Sequence, residues 1–161
     1  MSDETAKLAV PREAPGARNM AGLEFLNKIV AGELPVTPMW RSLGISLLEA
    51  EAGRTLFRVE PRQDHANTNG VAHGGLAATL IDSAASCAVI TETGPGDWST
   101  TVALEIKFIR PIPVEEGPVF AEGRTIRVGR RMGTAEARIT DADGRLLGHG
   151  SCTCLIERRK A

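Results

Sequence analysis

Residues 67–82 read "NTNGVAHGGLAATLID" and hold the pattern that decides the fold. A loop ending in a histidine and two glycines leads into a run of small and apolar residues that continues to about Thr91. At 100° per residue from Gly74, one broad apolar face forms, made of Leu76, Ala77, Leu80, Ile81, Ala84, Cys87 and Ala88. The opposite face is a narrow stripe of Gly75, Thr79, Asp82 and Ser86. The pattern predicts a long helix that packs on a sheet and leaves a small polar stripe open to close approach.

The sequence before this helix predicts one helix and one hairpin. "GLEFLNKIVAG" (22–32) places apolar residues at helical spacing, and a short turn or helix follows around Met39–Leu43. "ISLLEAEAGRTLFRVEP" (45–61) predicts two strands joined at "EAGR", with Pro61 as the terminator.

The sequence after the helix predicts four strands. "TVALEIKFIRP" (101–111) alternates apolar and polar residues, which predicts a half-buried strand with Val102, Leu104, Ile106 and Phe108 on the inner side. Segments 118–128, 132–140 and 146–157 predict the others, joined near "VGRR" and at "DADGR". This order favours an antiparallel α+β fold, in which the long helix lies on a curved sheet of about six strands.

Composition narrows the class of protein. The 161 residues suit one domain, and we assign residues 1–20 to a flexible polar arm and residues 21–161 to a single domain. A formal charge of −1, 4% aromatic residues and the absence of tyrosine do not favour a nucleic-acid surface. We find no apolar run that suggests a membrane span and no secretory leader, and three cysteines fit a reducing compartment. We therefore expect a cytoplasmic protein without a nucleic-acid or membrane partner.

The helix start and the carboxylate within the helix suggest hydrolytic chemistry. A helix N-terminus offers free backbone N–H groups to negative charge that develops on oxygen, and Gly74 and Gly75 leave those groups uncovered. His73 and Asn67 flank this entrance and could orient a carbonyl group or a water molecule. Asp82 lies too far inside the helix to cap it, so a role as base or nucleophile is the sharper hypothesis.

The rise of a helix keeps these two parts from acting together within one chain. Asp82 lies eight residues beyond Gly74, which is about 12 Å at roughly 1.5 Å per residue. One reacting centre must lie about 3 Å from both the oxyanion donors and the attacking group. Two antiparallel copies of the helix in a two-fold dimer would satisfy this requirement, so we expect two shared sites per dimer.

These residues resemble a known family. "HGG" after a loop with Asn67, an aspartate nine residues after His73, and a following strand that ends in "FIRP" resemble the hotdog-fold thioesterases, in particular the phenylacetate-pathway (PaaI-like) acyl-CoA thioesterases. The resemblance covers about residues 38–157, including the closing "DADGRLLGHGSCTCLIE". It implies a hotdog fold and the hydrolysis of an acyl-CoA, with CoA as part of the substrate and no metal or redox cofactor.

The resemblance also implies roles for individual residues. Gly74 donates its N–H to the thioester oxygen, Asn67 helps to orient the carbonyl group or the water, and Asp82 acts from the neighbouring subunit. A hydroxyl at the start of the next strand positions the water; Thr101 matches best and Thr100 is one step away. The implied catalytic set is Asp82, Gly74, Asn67, His73 and Thr101.

The implied CoA site follows the subunit junction. The end of the strand at Phe108, Ile109, Arg110 and Pro111 and the next hairpin would contact CoA, with arginines as phosphate partners. The complete substrate-binding set is Gly75, Thr79, Phe108, Ile109, Arg110, Pro111, Gly129, Arg130, Arg131 and Met132. We expect a homo-oligomer, at least a dimer and more specifically a tetramer.

Other interpretations remain open from sequence. The fold could serve as a non-catalytic acyl-CoA-binding module, or as a hydratase or dehydratase that uses His73 and Asp82 as proton shuttles. His73 could equally make hydrogen bonds only within its loop, and Asn67 could equally be a turn former. Cys152 and Cys154 share a strand face, but no second pair completes a metal site, so core packing is the better interpretation.

Overall fold

The computed structural model describes residues 10–159, which contain three α-helices and six β-strands. The helices are α1 (Gly22–Val30), α2 (Pro38–Leu43) and α3 (Gly74–Thr91). The strands are β1 (Ser46–Glu51), β2 (Arg54–Val59), β3 (Trp98–Phe108), β4 (Val119–Val128), β5 (Met132–Asp141) and β6 (Leu146–Glu157). All pairings are antiparallel, and the strand order is β1-β2-β4-β5-β6-β3 in one open sheet. The predicted order of elements is confirmed.

Helix α3 lies against the inner face of the sheet, as predicted. Every residue of its predicted apolar face is buried, while the stripe of Gly75, Thr79, Asp82 and Ser86 is exposed or half-buried. The helix approaches the sheet very closely at Gly123 of β4, where an added Cβ would lie 2.0 Å from the carbonyl oxygen of Ala84. The missing side chain at Gly123 therefore allows the sheet to curve around the helix.

Helix α3 is long and apolar enough to cross a membrane by length and composition, so the expectation that the sequence contains no such apolar run is wrong. In the fold, 61% of that span is buried against the other elements. The buried core helix of a domain can be as long and as apolar as a membrane span, because it is hydrophobic nearly all round.

Strand β3 differs from its prediction. It lies at the edge of the sheet and pairs on one side only, with β6. A bulge between Thr101 and Ala103 interrupts the strict alternation, and Val102 and Phe108 are 55% and 63% exposed. The predicted strand is confirmed and Ile106 packs on the core, but the predicted burial is wrong for Val102, Leu104 and Phe108 in the single chain. Periodicity reveals an apolar face but not what covers it.

The N-terminal segment packs on the domain from residue 10 onward. It forms two short 3₁₀ turns, Pro11–Glu13 and Ala17–Asn19, with Pro11 and Ala17 buried. Arg12 stacks 5.3 Å from the ring centre of Phe25 and donates to the backbone oxygen of Asp97 at 2.9 Å. The flexible arm predicted over residues 1–20 does not describe residues 10–20, and its first nine residues lie outside the described part of the chain.

Two hydroxyl groups enclosed in the fold give a matched stability test. Thr55 donates to the carbonyl oxygen of Ala84 at 2.8 Å, whereas the buried Oγ of Ser99 has no partner within residues 10–159. Because an unsatisfied buried hydroxyl is costly, Ser99→Ala should raise the free energy of unfolding by about 1 kcal/mol, and Thr55→Val should lower it by about as much. Chemical denaturation at equal protein concentration measures both. Equal destabilisation by the two variants would contradict the prediction.

Candidate active site

Among the residues that the structure describes, the start of helix α3 presents one free backbone donor. His73 is the N-cap: its Nδ1 accepts from Gly75 N–H at 2.9 Å, and its carbonyl oxygen accepts from Leu76 N–H at 2.9 Å. Gly74 N–H has no hydrogen-bond partner within residues 10–159. The expectation that both glycines leave their N–H groups open is therefore wrong for Gly75, because the cap uses its donor. His73 has a clear structural role here.

Asn67 forms a turn in the loop before the helix. The side-chain oxygen of Asn67 accepts from Asn69 N–H at 2.8 Å, and its backbone pairs with Val71 and Gly70. This use of the oxygen leaves the side-chain NH₂ as the group that could act on a ligand. An NH₂ group can donate to a carbonyl oxygen or a water but cannot accept a proton. Asn67 is thus a turn former whose amide is still available for orientation.

A cavity of about 370 Å³ opens beside Gly74. Its lining is mainly apolar and combines the loop, the helix start and the end of β3: Asn67, Val71, Ala72, Gly74, Ala77, Phe108, Ile109, Arg110, Pro111 and Ile112. The Phe108 ring lies over the helix start, and its Cζ would be 3.2 Å from a Cβ added at Gly74. The structure therefore brings Asn67 and Gly74 together with the predicted CoA-binding segment Phe108–Pro111.

The carboxylate of Asp82 is held by the neighbouring strand. Thr101 Oγ1 donates to Asp82 Oδ1 at 2.7 Å, and both residues are half-buried. Thr100 is exposed. Because side chains alternate along a strand, only one of the two threonines can face the helix. The structure thus selects Thr101 as the partner of Asp82.

The Gly129–Met132 turn lies at the same end of the sheet as this pair. Register places Gly133 beside Cys154 and Cys154 beside Thr101, so the turn begins about 10 Å from β3 at about 4.8 Å per strand. The turn lines a hollow of about 350 Å³ together with Arg127 and Thr134. Arg127 was not predicted as a binding residue, because the pattern of one strand does not distinguish an arginine near a bulge from any other exposed arginine.

The predicted site residues therefore form two separate groups in one chain. Gly74, Asn67, His73 and Gly75 lie with Phe108–Pro111 near the start of α3. Asp82 and Thr101 lie near Gly129–Met132, toward the other end of β3. Thr79 lies between them on the helix, where its hydroxyl donates to Gly75 O at 2.9 Å. Asp82 is also too far along the helix from His73 to form a proton-transfer pair with it in one chain.

The thiols near Asp82 are core groups. Cys87, Cys152 and Cys154 are all buried, and the Sγ atoms of Cys152 and Cys154 are 3.7 Å apart. Burial, with a further contribution from the charge of Asp82, raises the pKa of Cys87 well above the usual range. This thiol therefore stays protonated and is a poor nucleophile. Within the described residues, no three His, Cys, Asp or Glu side chains are grouped so as to hold a metal ion.

Comparison with known proteins identifies the family. Residues 69–147 match the family model described as "Thioesterase superfamily". The human protein acyl-coenzyme A thioesterase 13 is 31% identical over 134 residues, which is 81% of this chain and 93% of that protein. The chain belongs to the thioesterase superfamily. A 1,4-dihydroxy-2-naphthoyl-CoA hydrolase of Listeria monocytogenes is 25% identical over 119 residues, 74% of this chain and 95% of that one.

Solved structures of this superfamily share the fold. A thioesterase superfamily protein that is 32% identical superposes with a TM-score of 0.70 and covers 84% of this chain and 98% of its own. A variant of the phenylacetic acid degradation protein PaaI from Thermus thermophilus is 25% identical with a TM-score of 0.67, over 73% of this chain and 97% of its own. The predicted hotdog fold and the PaaI-like resemblance are confirmed, and the protein is a thioester hydrolase.

The Asp82–Thr101 contact predicts a selective effect on turnover. Thr101→Val should lower kcat about 10- to 100-fold if Asp82 is the base or nucleophile, because it removes the hydrogen bond that orients the Asp82 carboxylate. Thr101→Ser retains the hydroxyl and should stay within about threefold of wild type. Thr100→Val is the control, since that side chain is exposed. Steady-state kinetics with one thioester measures all three, and equal losses in the Thr100 and Thr101 variants would contradict the assignment.

Proposed function

We propose that this thioester hydrolase cleaves an acyl-CoA, with an aryl or medium-chain acyl group, at sites shared between two subunits. The observation that carries the proposal is the split site. The free Gly74 N–H and the Thr101-bound Asp82 belong to the same rigid helix but lie about 12 Å apart along it. Neither half can hydrolyse a thioester alone.

The edge strand supports a dimer that would join the halves. β3 has an unpaired edge and exposes Trp98, Val102, Leu104 and Phe108 beside it. Exposed apolar side chains along a free edge mark an association surface. A two-fold axis near the middle of α3 would place Asp82 of one subunit opposite Gly74 of the other. We expect further association of dimers into a tetramer and a cytoplasmic location.

The chemistry follows from this arrangement. The thioester oxygen would accept from Gly74 N–H and from the Asn67 amide, which stabilise the oxyanion. Asp82 of the partner subunit would take a proton from water as the water attacks the carbonyl carbon, and would return it to the sulfur as the C–S bond breaks, which releases CoA as its thiol. Direct attack by Asp82 would instead break the C–S bond, expel CoA as its thiolate and form a mixed anhydride, which water then hydrolyses to the free acid and Asp82. Both routes use only this chain's own groups and need no metal or redox cofactor.

The proposal also assigns binding surfaces to the CoA phosphates and to the uncharged part of the substrate. Arg110 at the cavity rim, and Arg130 and Arg131 on the β4–β5 turn, would bind CoA phosphates. The apolar lining beside Gly74 suits the uncharged part of the substrate next to the thioester. Relatives named for naphthoyl-CoA hydrolysis and phenylacetic acid degradation support an aryl acyl group.

Removal of the carboxylate tests the mechanism. Asp82→Ala should lower kcat by about 10²- to 10⁴-fold, and Asp82→Asn, which keeps the shape but cannot accept the proton, should act in the same direction with a smaller loss. Asp143→Asn, at the exposed β5–β6 turn, is a matched control. A thiol-release assay across aryl, short and long acyl-CoAs gives the rates. Wild-type hydrolysis by Asp82→Ala would refute the assignment of the base or nucleophile.

Mixed dimers test the sharing of sites. Gly74→Pro removes the oxyanion N–H, yet proline suits the first position of a helix, and His73 already has the extended backbone that precedes proline (φ −61°, ψ 140°). Gly74→Ala keeps the N–H and serves as the control. Random dimers of inactive Gly74→Pro and Asp82→Ala chains should regain about a quarter of wild-type activity, because half of the dimers contain one intact site. No recovery after co-refolding would refute shared sites.

A further inference from the structure

Three arginines around the β4–β5 turn have no partner in the described part of the chain. Arg127, Arg130 and Arg131 are exposed, and within residues 10–159 none of their guanidinium groups makes a hydrogen bond or ion pair. Two of them belong to the turn itself, so the position of their side chains depends on the turn's backbone. A turn of four residues, Gly129–Met132, has little packing of its own to hold it.

The backbone of this turn is held by the end of the chain. Arg158 donates from Nη2 to Gly129 O at 2.9 Å and from Nε to Arg130 O at 3.1 Å. The carbonyl oxygen of Arg131 accepts from Ile156 N–H at 2.7 Å. Three successive carbonyl groups of the turn are therefore bound by two residues at the end of β6, and Arg158 supplies two of the three contacts.

Arg158 is itself anchored at the start of β3. Its Nη1 donates to Asp97 Oδ2 at 2.7 Å, and Asp97 also accepts from Gly94 N–H and Arg159 N–H at 2.9 Å each. Burial acts to raise the pKa of Asp97, but the hydrogen bonds from Arg158, Arg159 and Gly94 outweigh it and hold that pKa below its ordinary value. Asp97 is therefore a charged, well-satisfied anchor. It directly precedes β3, the strand that carries Thr101.

We propose that Arg158, anchored by Asp97, is a positioning residue for the nucleotide end of CoA. It sets the β4–β5 turn, and with it Arg130 and Arg131, at a constant separation from the Asp82–Thr101 pair. Three of the five guanidinium N–H groups of Arg158 are bound by Asp97, Gly129 and Arg130, so its role is to hold the turn rather than to bind CoA directly. This role rests on the proposed acyl-CoA hydrolysis and assigns to Arg158 a share in the recognition of CoA.

The geometry distinguishes this role from a general structural one. The contacts of Arg158 join surface segments, and its side chain is 36% exposed, so its loss leaves the core beneath α3 intact. The chemistry of the thioester takes place at Asp82 and Gly74, which Arg158 does not touch. Loss of Arg158 should therefore weaken binding of the nucleotide and leave the chemical step unchanged.

The experiment compares two substrates with the same acyl group, one an acyl-CoA and the other an acyl-pantetheine, which lacks the phosphate-bearing nucleotide. Arg158→Ala should raise KM for the acyl-CoA about tenfold, the equivalent of roughly 1.4 kcal/mol. KM for the acyl-pantetheine, and kcat for both substrates, should stay within about twofold of wild type. Unchanged turnover of the acyl-pantetheine also shows that the variant is folded.

Two further variants sharpen the result. Asp97→Asn removes the charge that anchors Arg158 and should shift KM for the acyl-CoA in the same direction by about threefold. Arg145→Ala breaks an arginine–aspartate pair at a hairpin turn at the other end of the sheet and should leave the ratio of the two KM values unchanged.

The outcomes separate the inference from the function on which it rests. Equal rises in KM for both substrates, or no rise for the acyl-CoA, would overturn the role of Arg158. Equal KM values in the wild-type enzyme would show that the turn does not bind the nucleotide, which also overturns it. Failure of the wild-type protein to hydrolyse any acyl-CoA would instead refute the proposed function.

Discussion

The burial of α3 within the curved sheet is the constraint on which the rest of the structure depends. A helix that packs against β2, β3, β4, β5 and β6 can turn only a narrow stripe toward anything else. Small residues make this packing possible: Gly123 lies directly over the backbone of Ala84, and Thr55 donates to the same carbonyl oxygen. The helix is therefore rigid, and the distances between chemical groups along it are constant.

This constant spacing explains why the two halves of the candidate site lie apart in one chain. Its first turn supplies a backbone donor that no other group within residues 10–159 uses, and its third turn supplies a carboxylate that a neighbouring strand orients. Strand β3 reaches both groups, since Phe108 lies at Gly74 and Thr101 at Asp82. The same strand carries the unpaired edge of the sheet. The surface that would bind a second copy is thus the surface that carries both half-sites.

Elements that depend on a local sequence pattern were predicted correctly. Features that depend on a contact with a residue distant in sequence were not. The apolar face of α3 and the β1–β2 hairpin follow from periodicity and turn residues, and both are confirmed. By spacing alone Gly75 is as free as Gly74, but the cap formed by His73 occupies its N–H, and that depends on a side-chain torsion. The choice between Thr100 and Thr101 depended on a bulge that the alternation of β3 conceals. The hydrogen bond from Arg158 to Gly129 joins residues 29 positions apart, and no local sequence pattern predicts it.

By itself, the sequence determined the α+β order of elements, the family, and the presence of an oxyanion donor and a carboxylate on one helix. Those conclusions rest on spacing along the chain, which secondary structure converts directly into direction and distance. Only the tertiary structure decided which N–H remains free, which hydroxyl holds Asp82, that β3 is an edge strand, and that residues 10–20 pack on the loop before it. Each of these depends on a contact between residues far apart in sequence, and the energy of such a contact is set by packing rather than by either residue alone.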